Sequence, residues 1–352
     1  MGRMVAVKEL VQGDVLSDAV LSMAGKVLLG KDISLTQRHI SLLNSWEIQN
    51  VFIEGPAEAL AAEVPAVEAA RTEEPDDAAK FKEFIDVYTG TVGQVTDSFA
   101  FIKQSRIVPV THLKNTAGDI HASICENRFG VMNYLLAGSF AIEHLISRHS
   151  VMVAYLASVL AQQLKWEEKD VQGVALAGLL HDIGNLITTT GKGTYQESHL
   201  ADTAKLLKSA AGLPGEVILG IIQHREHFDG TGFPSGTKGR QIHPYARILS
   251  IADRFHNLAY VGAHANPFPI LDILKQEMYV KFDADICHTF ILKLKDSLTL
   301  NRVLLTDGKE AEVIFFNRDS YRFPVVKTVE NDIIDLSQRK DLSIQQIILS
   351  TR

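Results

Sequence analysis

The stretch VQGVALAGLLHDIGN, residues 171–185, opens with ten residues that lack any charge and closes on a histidine beside an aspartate. An apolar run of that length with helical spacing belongs in a core. His181 and Asp182 are therefore carried to a buried helix end, where polar groups are costly unless they find partners. The same pattern recurs along the chain. His149 stands on a stripe with Val153, Leu156 and Leu160, at i+4, i+7 and i+11. His224 follows Val217 and Ile221 at helical spacing, and Asp253 shares a face with Ala246 and Leu249. His199 sits in a polar turn at the start of a helix, above Thr203 and Leu206.

Taken singly, each has an ordinary reading as a hydrogen-bonded core residue. Four histidines and two aspartates on five successive helical segments, each turned to a core, point instead to metal. Neutral imidazole with carboxylate suits divalent iron or manganese, with nickel and zinc as alternatives. Six donors suffice for two ions if one carboxylate bridges, and Asp182 is placed to do so, its neighbour His181 reaching one ion while it spans both. Two ions about 3.5–4 Å apart generate a bridging hydroxide and clamp a phosphoryl group for in-line attack.

The rest of the chain frames that core. Its 352 residues are 46% hydrophobic and 22% charged, with room for two or three domains. Residues 1–55 read as a small α/β domain. VLSDAVLSMAGKVLLGKD has strand-like runs around Gly25, SLTQRHISLLNSW is helical, and IQNVFIEG is a closing strand. Residues 56–80 hold seven acids against two bases, three prolines and many alanines, the composition of a solvated linker. Removing its charge from the net −7 leaves about −2 on the folded parts, so the acidity is mostly the linker's and argues only against general nucleic-acid binding. Residues 81–297 are dominated by helix. Residues 298–352 change period: NRVLLTDGKEAEVIFFN is two strands joined at Asp307-Gly308, and YRFPVVKTV is a third. The expected fold is thus mainly α, a helical bundle with a small α/β domain before it and a short β-rich segment after it.

Cys125 and Cys287 are the only cysteines, which excludes a disulfide framework or a cysteine zinc site. No apolar run approaches the roughly 18 residues that span a bilayer, and the N-terminus lacks a signal-peptide core. A cytoplasmic location without membrane attachment is the expectation. The N-terminal domain carries no identifiable chemistry; regulation or dimerisation is the role expected of it, with a signalling protein as a partner.

The order His149, His181-Asp182, His199, His224, Asp253 resembles the HD superfamily of metal-dependent phosphohydrolases. HREHFDGTGFPSG (224–236) followed by IHPYARILSIADRF (242–255) narrows the resemblance to the HD-GYP subfamily, over roughly residues 130–290. That resemblance implies a helical bundle holding a bi- or trinuclear metal centre that hydrolyses cyclic di-GMP to the linear dinucleotide and on to GMP. It assigns His149, His181, Asp182 and Asp253 to one metal, and Asp182, His199 and His224 to the other. It makes Gly232, Phe233, Pro234 and Arg247 candidates for substrate contact. Phe233 stands where the subfamily has tyrosine, keeping the ring and losing the hydroxyl; the loop glycines are read as turn formers.

The departures cluster where chemistry is expected. Arg225 replaces a second histidine and cannot ligate, since it stays protonated. Asn185 replaces a lysine that meets substrate phosphate, Leu145 a glutamate of trinuclear members, and residues 257–268 contain no Lys or Arg. Each lost charge-assisted phosphate contact is worth about 1.5–3 kcal/mol. Arg225 is open to three roles: pairing with a phosphate, weakening metal binding, or standing outside the chemistry, paired with Glu226 or turned to solvent. Asp182, Arg225 and Asn185 are accordingly the residues on which turnover depends. His227, His256 and His264 lie close enough in sequence to reach substrate. The leading expectation is a two-metal cyclic di-GMP phosphodiesterase. The alternatives are a degenerate domain that binds nucleotide or a protein without turnover, and a hydrolase of another phosphoester.

Overall fold

The computed structural model describes residues 2–21, 27–31, 33, 35–36, 39–40, 43, 48–54, 77–127, 130–137, 146–188, 195–208, 210–260, 266–317 and 319–348. Leu145, Gly25, His264, most of the helix expected over 34–46 and most of the acidic stretch lie outside these residues. The chain divides into two compact units, Met1–Glu74 and Pro75–Arg352.

In the first unit β1 (Gly2–Ala6) pairs antiparallel with β4 (Asn50–Glu54), from Gly2 opposite Glu54 to Ala6 opposite Asn50. β2 (Val20–Leu21) pairs with β3 (Val27–Leu29). Alternation along β1 and β4 buries Val5, Val51 and Ile53 with Leu16, Leu35 and Leu43 in a small core of its own.

The second unit is mainly helical. α1 (Asp77–Ser105) begins four residues inside the stretch expected to be linker, where the alanines of the sequence favour helix. α2 (Val110–Glu126), α3 (Val131–Ala137) and α4 (Ile146–Gln163) follow. Then come α5 (Glu168–Leu180), a 3-10 turn (Ile183–Leu186), α6 (Tyr195–Lys208) and α7 (Gly215–Ile222). α8 (Pro244–Ala259), α9 (Phe268–Glu277) and α10 (Ala284–Leu298) complete the bundle. α4 is buried on every side from Val151 to Ala161, which makes it the central helix. α5 crosses it closely enough that a Cβ on Gly178 would stand 2.7 Å from Ala154 Cα. That approach brings the start of α4 to the end of α5, and so His149 to His181.

β5 (Arg302–Leu305) and β6 (Glu310–Phe315) form the expected hairpin, with Gly308 at φ +83° in its turn. β7 (Val325–Thr328) is the expected third strand. β8 (Ile333–Asp335) and β9 (Ile344–Ile348) extend the sheet to five antiparallel strands in the order β8-β7-β6-β5-β9. Its buried face (Val303, Leu305, Val313, Val326) joins the helical core. Among the described residues no helix is long and apolar enough to cross a membrane.

Candidate metal centre

The six expected donors come from five segments and meet at one end of the central helix. His149 lies in the first turn of α4; His181 caps α5 and Asp182 leads into the 3-10 turn. His199 lies inside α6, one turn later than a residue at the helix start would. His224 is not on a helix: α7 stops at Ile222, and the chain turns before it. Its orientation is recovered by the Nδ1 atom, 2.6 Å from the Ile221 carbonyl. Asp253 is on the buried face of α8, as its spacing implies.

His181 repeats the device of His224, with Nδ1 2.7 Å from the Gly178 carbonyl. A ring nitrogen that faces a carbonyl must carry the proton, so Nε2 of each ring is left with its lone pair turned into the cluster. His181 Nε2 and His149 Nε2 are 3.0 Å apart. His149 Nε2 is 3.2 Å from Asp253 Oδ1 and 3.7 Å from Asp182 Oδ2, and His181 Nε2 is 3.6 and 3.7 Å from the same two oxygens. On the other side, His199 Nε2 and His224 Nε2 face Asp182 Oδ1 at 3.0 and 3.7 Å. Both nitrogens are buried, and neither makes a hydrogen bond. Buried imidazole nitrogens without hydrogen bonds, converging on carboxylates, fit a divalent cation better than they fit one another. Donor atoms of His149, His181 and Asp253 lie within 4.8 Å of one another, as do those of His181, Asp182 and His224.

The electrostatics agree. Burial raises the Asp182 carboxyl, but His181, His199 and Arg225 outweigh it and hold the group well below the usual carboxylate range. Asp253 behaves alike, burial being overcome by His149, His181 and Arg225. Burial lowers His181, yet the two aspartates raise it on balance; they attract a proton where a cation would otherwise sit. Burial, then the Arg225 charge, pushes His224 down to about 3.

Sequence reasoning missed His256 as a structural partner. Rather than facing substrate, it sits behind His149, Nδ1 to Nδ1 at 2.9 Å, with its ring stacked on Tyr260. Burial and then His149 push it down to about 3, so it stays neutral and its Nδ1 can accept a hydrogen bond from His149 Nδ1–H, leaving His149 Nε2 free for metal. Its only sequence signal is its place one turn beyond Asp253 on the same helix.

A pH dependence follows for the metal-free chain. The folded pKa values of His224 and His256 lie below their unfolded value of about 6.5. The unfolded state therefore binds protons first as pH falls, and stability drops from about pH 6.5 toward 3. His181, raised, acts oppositely only above about pH 6.5, and its contribution is constant below that. With chelator present, the melting temperature is expected to fall steadily from about pH 6.5 to 4.5, and His256→Asn to flatten the slope. A melting temperature constant over that range would refute the assignment.

The other expected site residues divide. Arg225 does not pair with Glu226: its Nη1 is 3.1 Å from Asp253 Oδ2 and its Nη2 3.5 Å from Asp182 Oδ1. Asn185 is half-buried on the 3-10 turn, its backbone N–H donating to the Asp182 carbonyl. Gly232 is packed so that a Cβ would lie 2.2 Å from His227 N, which makes its role structural. Buried Glu226 accepts from Ser235 N at 2.7 Å and so holds the loop. His227, in the same loop, faces Thr231 Oγ1 at 3.0 Å. Phe233 and Pro234 line an apolar cavity of about 290 Å³ with Leu200, Ala204 and Ile222. Arg247 is held elsewhere: its Nη1 donates to Asp283 at 2.6 Å, and it lines a separate cavity with Trp166, His243 and Tyr245.

Residues 138–286, a span containing all six donors, match the family model described as HD domain. Over 170 residues the chain is 28% identical to a cyclic di-GMP phosphodiesterase of Pseudomonas aeruginosa, covering 45% of this chain and 41% of that protein. It is 30% identical over 157 residues to the 3'3'-cGAMP-specific phosphodiesterase 3 of Vibrio cholerae, covering 39% and 33%. A cyclic di-GMP phosphodiesterase of Thermotoga maritima is 25% identical over 179 residues, covering 47% and 48%. The chain thus spans less than half the length of these three relatives. Among solved structures, Bd1817, a HDG"Y"P protein from Bdellovibrio bacteriovorus, superposes with a TM-score of 0.51 at 18% identity, covering 84% of this chain and all of that one. At that identity the likeness is one of fold.

Proposed function

We propose that this chain, whose residues 138–286 match the HD domain family model, is a metal-dependent phosphodiesterase that opens a cyclic dinucleotide, cyclic di-GMP in the first instance, to its linear form and then to mononucleotide. One observation carries the reading. Imidazole nitrogens of His149, His181, His199 and His224 and the carboxylates of Asp182 and Asp253 converge, with His181 and His224 oriented from behind by backbone carbonyls. The names of the relatives support the substrate class.

By donor count the six side chains suffice for two divalent ions, of which iron or manganese suits this mixture. Bound metal would supply an activated water and would take up charge developing on the phosphoryl oxygens. The chain's own residues do the rest. His256 holds His149 in the tautomer that turns Nε2 inward. Arg225, with 30% of its side chain exposed, offers a guanidinium to a phosphate oxygen and offsets in part the missing lysine at Asn185. The apolar cavity beneath Phe233 and Pro234 fits the face of a nucleobase, where the ring needs no hydroxyl.

The test is turnover. Protein purified without oxygen and loaded with ferrous iron or manganese is given cyclic di-GMP, or 3'3'-cGAMP in parallel, and products are separated by chromatography. Metal-dependent appearance of linear dinucleotide or mononucleotide is the expected result. A second reading, a nucleotide-binding module without turnover, is favoured by the hold of Arg225 on both carboxylates. Bound metal and bound nucleotide with no product would establish it and overturn the first.

A further inference from the structure

We propose that Arg225 takes the place of the second cation, so that the centre holds one divalent ion and one fixed guanidinium. This rests on reading the cluster as a metal centre, though not on turnover of any particular nucleotide. The donors fall into two groups. On one side His149 Nε2 and His181 Nε2 face Asp253 Oδ1 and Asp182 Oδ2, all at 3.2–3.7 Å. On the other, His199 and His224 face Asp182 Oδ1. The Arg225 Nη2 lies 3.5 Å from that same oxygen, while its Nη1 takes the oxygen of Asp253 that the first group leaves over. The fork therefore spans the two carboxylates from the His199–His224 side.

His181 Nε2, its Nδ1 committed to the Gly178 carbonyl, serves the ion of the His149 group, while Arg225 competes for the Asp182 oxygen that His199 and His224 would share with a second ion. The charges limit the count: two carboxylates and one guanidinium sum to −1, and a single divalent ion brings the site to +1. A second would raise it to +3 beside a cation that has no accessible neutral form. A histidine in this position could lose its proton and become a ligand; an arginine cannot. The ion belongs with His149, His181 and Asp253, and a substrate phosphate would lie between that ion and the Arg225 fork.

Metal counting tests this without reference to activity. Full-length protein is loaded with manganese without oxygen, desalted, and measured by elemental analysis and electron paramagnetic resonance. Wild type is expected to hold about one ion per chain with the six-line spectrum of an isolated ion, and Arg225→Ala about two, with the spectrum of an exchange-coupled pair. Arg225→Gln, closer in length, gives the same comparison should the alanine variant fold poorly. Two coupled ions in wild type, or one ion in both variants, overturns the inference and leaves the metal-centre reading standing. No manganese in any of the three proteins overturns both.

Discussion

Asp182→Ala is expected to release bound metal and, with it, to lower hydrolysis of a cyclic dinucleotide by at least about a thousandfold. Asp182 faces both donor groups: Oδ2 faces His149 and His181, and Oδ1 faces His199, His224 and Arg225. Removing it deprives each group of its shared counter-charge, at a residue only 7% exposed. The helices should survive, because Asp182 lies between α5 and the 3-10 turn and not inside a helix, and circular dichroism checks that. Metal analysis and product formation are then read together. Loss of metal with retained turnover would remove metal from the chemistry. Unchanged binding of cyclic di-GMP to the metal-free variant would show that the metal is not the substrate anchor.

The second large effect is at a residue with no side chain. Gly184 sits where the 3-10 turn meets α6, and a Cβ there would stand 2.1 Å from the His199 carbonyl oxygen and 2.5 Å from Thr203 Oγ1. The Gly184 N–H donates to Thr203 Oγ1 at 3.1 Å, and that hydroxyl donates to the His199 carbonyl at 2.9 Å. Gly184→Ala must push α6 away, since the nearest obstacle is backbone and cannot rotate aside. A loss of about 2–4 kcal/mol is expected by urea unfolding, with weakened metal binding because His199 moves with its helix. Gly173→Ala is the useful contrast: there the obstacle is the Tyr245 ring, remote from the six donors, so stability should fall without a matching change in metal affinity. Equal stability of Gly184→Ala and wild type would mean that the turn and α6 are less tightly joined than these distances require.

The convergence of the six candidate donors was legible in the sequence for a specific reason. A histidine or aspartate on a stripe of valine and leucine is costly to bury, and six such residues in order leave few purposes. What escaped is what depends on contacts between distant segments. Nothing in the sequence around His256 says that it will back His149, 107 positions earlier. Arg225 presented three options in sequence, and only the placement of Asp182 and Asp253 around it decides that its fork turns inward. Arg247 read as a substrate residue through the family resemblance, yet its partner Asp283 on the approach to α10 draws it to another cavity. The helix carrying Val217 and Ile221 was expected to continue through His224; it ends at Ile222 because His224 is needed in the turn, where a backbone carbonyl can steer it.

The wide spacing of the donors has a consequence for how the protein comes into being. From His149 to Asp253 the centre draws on five segments, and none of them supplies more than two of the six groups. A peptide metal site that folds around its ion can form on a short stretch of nascent chain; this one cannot, because its last carboxylate is added only when α8 is complete. Synthesis must pass that residue before the set of six is complete. Shorter fragments of the chain would emerge with helices but without chemistry, and metal capture would be an event of the assembled bundle, not of its parts.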